Sequence, residues 1–172
     1  MRVFGMLVIK LRPVLHTMCI AFKKKIRVGP SFYLRFLAAI VQSDYITVES
    51  LCHMVDMNRG NGVALGLAVA EKDVQMVALL VRHGANQHHD RMMESCVLLN
   101  NIGIFDYFCN IGVPIQDVWL VYACERGHPI IAHRILDHQS KVNMYLGQAI
   151  VIATVNQHTE IIEMLEAYCR SS

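Results

Sequence analysis

An all-α solenoid of about five stacked helix-turn-helix units is the fold class that the sequence predicts for residues 32–172, and three observations predict it. The first is a recurring register, anchored at the small residues Ala39, Ala68, Cys96, Ala123 and Ala153, with spacings of 29, 28, 27 and 30. Apolar residues keep fixed helical offsets from those anchors, which is the second. The third is composition: 54% of residues are hydrophobic and only 17% charged, against the quarter usual for soluble domains. Part of so apolar a surface is expected to be covered by a partner, by another copy or by lipid.

Taken in order, the first pair of helices carries Phe36 before its anchor, turns at Asp44, and carries Val48 and Leu51 after it. The second pair has Leu65, Asp73, Val77 and Leu80 in the same places, and the third has Met93, Asn101, Phe105 and Phe108. Leu120, His128, Ala132 and Ile135 make the fourth; Ile150, His158, Ile162 and Leu165 make the fifth. The last two positions of each set are three residues apart and so share one helical face. The polar residue at the turn suits the start of a second helix, whose first backbone N–H groups need acceptors. Pro129, just after His128, suits that first turn because its missing N–H would have been unbonded anyway. A small anchor lets the two helices approach closely. Neither helix buries its apolar face alone, so neighbouring pairs must stack.

Residues 1–31 form a different segment, basic and apolar. Eight Lys or Arg (Arg2, Lys10, Arg12, Lys23, Lys24, Lys25, Arg27, Arg35) and no acid fall before Asp44, while the rest of the chain has eight bases against fourteen acids. Lys10, Arg12, Pro13 and His16 interrupt the apolar run from Val3 to Phe22, where each central charge costs about 2.5 to 3.5 kcal/mol on insertion scales. The run is therefore a poor transmembrane helix, and its internal charges also spoil it as a signal peptide. It is expected to cap the first pair or to lie on a membrane surface; an organelle-targeting segment is the other reading.

Residues Val63 to Asn86, VALGLAVAEKDVQMVALLVRHGAN, resemble an ankyrin repeat. Leu65, Ala68, Val77, Leu79, Leu80, Gly84, Ala85 and Asn86 match that family's pattern, whereas Val63, Ala64 and Gly66 replace its opening threonine, proline and histidine. Gly127 and His128, within ACERGHPIIAHRIL, match the family's glycine-histidine turn, and Ile152 to Tyr168 is similar to its second helix. The resemblance runs over residues 33 to 168. The period is shorter than the family's length of about 33, so its β-hairpin fingers are expected to be short or missing. Worn, shortened repeats of this kind are similar to the ankyrin-like proteins of large DNA viruses, including the asfarvirus multigene families, and of intracellular bacteria. The stretch Met92 to Val113 is the part most similar to the asfarvirus type. The resemblance implies a protein-protein interaction module, and on this lineage a host-modulating factor.

Chemistry-bearing residues were weighed against that reading. His83, His88, His89 and Asp90 crowd one stretch, but no Cys pair or HExxH helix supplies the second ligand pair that tetrahedral zinc needs. Cys124 beside Glu125 and Cys109 near Asp106 fall on or next to packed faces, where thiols are inert. The six cysteines include no CxxC pair, which suits a reduced, intracellular and cytoplasmic setting. No glycine-rich phosphate loop and no GxSxG is present, so neither a catalytic residue nor a cofactor is expected. The cluster Lys23, Lys24, Lys25 and Arg27 lacks interleaved aromatics and reads as a solvated basic face before it reads as a nucleic-acid site.

The expectation is a non-enzymatic module that displays side chains to a protein partner. Its candidate contacts are Gln87, His88, His89, Arg91, Gln116, Trp119 and Tyr145, around the starts of first helices, with His88 and His89 expected in a connecting loop. Trp119 is weighed both as a contact and as core. The alternative is a membrane-associated effector anchored by residues 1–30, with the repeats as scaffold.

Overall fold

The computed structural model describes residues 31–85, 89–138 and 144–171. The N-terminal segment, together with Gln87 and His88, lies outside the described residues. What is described is all-helical: α1 (Phe32–Val41), α2 (Tyr45–Leu51), α3 (Arg59–Ala70), α4 (Val74–Arg82), α5 (His89–Leu98), α6 (Ile102–Asn110), α7 (Val118–Arg126), α8 (Pro129–His138), α9 (Leu146–Val155) and α10 (Thr159–Ser171). No β-strand occurs among the described residues. None of their helices is long and apolar enough to cross a membrane.

The chain divides into two compact units, Met1–Met92 and Met93–Ser172, with the division inside α5. In the first unit α1 packs on α2 and on α3, and α3 packs on α4. The second unit repeats that plan: α7 packs on α8, α9 on α10, α9 on α7, and α8 on both α6 and α10. Within each unit first helices therefore neighbour first helices, and in the second unit second helices neighbour second helices as well, the layering expected of stacked pairs.

One turn recurs in all five pairs. The N–H of the residue five after the anchor donates to the anchor's carbonyl: Asp44 to Ala39 (2.9 Å), Asp73 to Ala68 (3.1 Å), Asn101 to Cys96 (2.9 Å), His128 to Ala123 (2.9 Å) and His158 to Ala153 (3.0 Å). The residue before the donor is left-handed each time: Ser43, Lys72, Asn100, Gly127 and Gln157, with φ between 52° and 70°. This is the Schellman arrangement, which satisfies carbonyls left over at a helix C-terminus. Three of the five donors then cap the next helix. Side chains of Asp44, Asp73 and Asn101 accept from the N–H of Thr47, Met76 and Ile104. The same closure ends two second helices, where Gly84 and Gly112 have φ of 101° and 84° and Ala85 and Val113 donate to Leu80 and Phe108.

The anchors are buried, Ala68, Cys96, Ala123 and Ala153 completely. So are Leu80, Phe108, Ile135 and Leu165, each of which contributes about 1.5 to 3 kcal/mol relative to an exposed side chain. A Cβ at Gly66 in α3 would stand 3.7 Å from the Met92 sulfur, an ordinary packing contact. The start of α3 departs from an ordinary helix: Gly60, Asn61 and Gly62 are all left-handed, with φ of 67°, 61° and 75°. These are the residue types that tolerate such a run.

Candidate interaction surface

The residues that repeat from pair to pair are the buried ones, and the starts of the first helices do not repeat. Seven residues before the anchors stand Phe32, Asn61, His89, Gln116 and Leu146, five different side chains, of which Phe32, Asn61 and Gln116 are exposed. Five residues before stand Leu34, Val63, Arg91, Val118 and Gln148, with Leu34, Arg91 and Gln148 exposed. Packing fixes the one set of positions, whereas at the helix starts exposed Phe32, Leu34, Gln116 and Gln148 are not fixed by burial.

Of the seven expected contacts, Arg91 and Gln116 are exposed and Tyr145 is half-buried at the start of α9. Arg91 belongs to the first unit, Gln116 and Tyr145 to the second. Two of the expected placements are corrected. His89 is not in a loop: it is the first residue of α5, half-buried, with Nε2 donating to the Ala85 carbonyl at 2.7 Å. That bond ties it to its own chain. Trp119 is 1% exposed and among the largest fully buried side chains, so it is core and not contact. Its N–H closes the turn from the Gln116 carbonyl at 3.0 Å, which leaves the Gln116 side chain outside.

The histidines are distributed among structural tasks. His83 ends α4, its ring edge-on to His53 at 5.4 Å and 4.0 Å from a Glu49 carboxylate oxygen. His158 lies over Gly127: a Cβ on that glycine would stand 2.7 Å from the imidazole Cε1. Among the described residues no three His, Cys, Asp or Glu converge to hold a metal ion. The candidate thiols are set against nucleophilic use. Burial pushes Cys124 up to about 12, and burial, with the Asp106 charge adding, pushes Cys109 up to about 11. Both are protonated near neutrality.

Links between adjacent pairs were not foreseen from the sequence. Asp73, besides capping α4, accepts hydrogen bonds from the hydroxyls of Ser43 (2.9 Å) and Tyr45 (2.8 Å) in the preceding turn. Burial works to raise its carboxyl, but the bonds from the Met76 N–H and these hydroxyls outweigh burial and hold it below the usual range. The same bond pushes the Tyr45 hydroxyl above its ordinary value. Arg134 on α8 pairs with Asp106 on α6 at 3.4 Å. A turn aspartate preceded, one pair earlier, by Ser and Tyr is the trace of the Asp73 link in the sequence. Compared with protein-family models and with curated proteins, the chain matches neither a model nor a relative.

Proposed function

We propose that the chain is a non-enzymatic protein-protein interaction module of ankyrin type, a solenoid that holds variable side chains at the starts of its first helices for a partner to read. The recurrence of one turn in all five pairs carries this reading. Within each unit the turn leaves exposed positions at the starts of first helices, the kind of position at which repeat arrays recognise other proteins. Gln87, His88, Arg91, Gln116 and Tyr145 remain the proposed contacts, the first two outside the described residues, and Phe32 and Gln148 join them on exposure.

The test is affinity capture from cells of the native source with the wild-type chain and with Arg91→Glu and Gln116→Arg variants of matched helicity. A protein held by the wild type and released by either variant supports the reading. Capture that both variants leave unchanged sinks it. Vesicle co-sedimentation of the whole chain and of residues 31–172 tests the membrane alternative: binding by the whole chain alone would favour that alternative over a scaffold that reads proteins.

A further inference from the structure

Asn61 stands apart from the other described asparagines. It is exposed, its side chain has no hydrogen-bond partner among the described residues, and glycine follows it. Asn58 donates its amide to the Gly84 carbonyl at 3.0 Å, and Asn101 is buried with its side chain accepting from the Ile104 N–H. Asn100, Asn110 and Asn156 are exposed, but asparagine, isoleucine and glutamine follow them. Asn61 also lies between two glycines in the left-handed run at the start of α3, so no neighbouring side chain hinders rotation of its backbone. The Gly62 N–H donates to the Asn58 carbonyl at 3.2 Å, the long end of the usual range.

An asparagine side-chain amide is an electrophile next to the following backbone nitrogen. Once deprotonated, the Gly62 nitrogen can attack Cγ of Asn61; the new C–N bond closes a succinimide ring, and the side-chain nitrogen leaves as ammonia. Water then opens the ring at either carbonyl, giving aspartate or isoaspartate, with no oxidant, metal or enzyme required. A side chain on the attacking residue obstructs the first step, and glycine has none. We propose that Asn61 is a self-modification site, where this cyclisation turns an uncharged helix start into an acidic one. The aspartate product is favoured by the positive end of α3 and by exposed Arg59 two residues earlier. The isoaspartate product puts an extra methylene into the main chain between Arg59, whose carbonyl accepts from the Tyr33 hydroxyl at 3.1 Å, and fully buried Ala64. It therefore disturbs the contact of α1 with α3 as well as adding charge. The chemistry is independent of any partner read at the helix starts.

Peptide mapping by mass spectrometry of the whole folded chain, incubated at neutral and at mildly alkaline pH, tests this. The Asn61 peptide should lose its amide steadily and appear as separate aspartate and isoaspartate isomers. The loss should be faster at alkaline pH, because the attacking nitrogen must give up its proton. Asn100 is the internal control: it is exposed and left-handed, with φ 52°, but asparagine follows it, so its peptide should change far more slowly. Gly62→Ala, in a chain whose far-UV circular dichroism matches wild type, should slow the loss at Asn61 severalfold. Asn61→Gln should abolish it without unfolding the turn, since Gln157 adopts the same left-handed conformation in this chain. An Asn61 amide that persists, or is lost no faster than that of Asn100, overturns the proposal. So does loss that continues at the wild-type rate in Gly62→Ala.

Discussion

Replacing Gly127 by alanine probes both the recurring turn and the contact between adjacent pairs. Gly127 sits at φ 70°, ψ 43°, the left-handed position that ends α7. Adopting that conformation costs a residue with a Cβ about 1 to 2 kcal/mol. Ser43, Lys72, Asn100 and Gln157 bear this cost at the equivalent turns, so it does not by itself forbid the fold. The added methyl would also stand 2.7, 3.0 and 3.1 Å from the Cε1, Nδ1 and Nε2 atoms of His158, and the imidazole must move. Overpacking of this kind costs about 1 to 3 kcal/mol, so Gly127→Ala should destabilise by about 2 to 5 kcal/mol. The two contributions separate in a double-mutant cycle measured by urea unfolding. With His158→Ala already present the clash is gone, and Gly127→Ala should cost only its conformational share of about 1 to 2 kcal/mol. Equal costs in the two backgrounds would refute the stacking of His158 on Gly127.

Two further outcomes are expected. Because hydrogen bonds hold the Asp73 carboxyl below its unfolded value of about 3.9, its contribution is fully present above that value and is lost as pH falls through the folded one. Asp73→Asn should therefore flatten the fall in stability below about pH 4, measured as urea midpoint against pH; parallel curves would contradict the bonds from Ser43 and Tyr45. In a Cys19→Ser background at pH 8, a disulfide reagent should modify exposed Cys169 first. Cys109, pushed by burial from 9.0 up to about 11, should be slower than an ordinary exposed thiol by a factor of about a hundred; comparable rates would contradict the burial that raises it.

Much of the core could be read from the sequence because one rule, burial of an apolar face at helical spacing, was applied five times. The anchors, Val48 to Ala132 and Leu51 to Leu165 fall where the register placed them. Gly84 ends its helix in the left-handed conformation that its position suggested. Ile150 and Ile162 are half-buried, where the equivalent residues of the earlier pairs are fully buried. The place of the turn was legible in all five pairs, but its left-handed residue only where it is Gly127. Elsewhere its left-handed residue is Ser, Lys, Asn or Gln, and such residues carry no signal until the hydrogen bonds around them are seen. Gly60-Asn61-Gly62 did carry one, since three residues in a row that tolerate positive φ are rare inside a helix.

The surface was harder to read for a physical reason. Exposure leaves residue type unconstrained, so a histidine such as His89 looks the same at a loop tip as at a helix start bonded to Ala85. Trp119 showed the opposite ambiguity: a large aromatic suits a hot spot and a core equally, and only its 1% exposure separates them.

The register of five equivalent pairs underlies every other inference, and a pair of substitutions tests it most directly. Ala68 is 0% exposed in α3, which packs on α4, while Gln75 is exposed at the second position of α4. Urea unfolding of Ala68→Leu should show a loss of about 1 to 3 kcal/mol from overpacking, and Gln75→Ala should stay within about 0.5 kcal/mol of wild type. Equal stabilities for the two variants would contradict the register and the stacked pairs built on it.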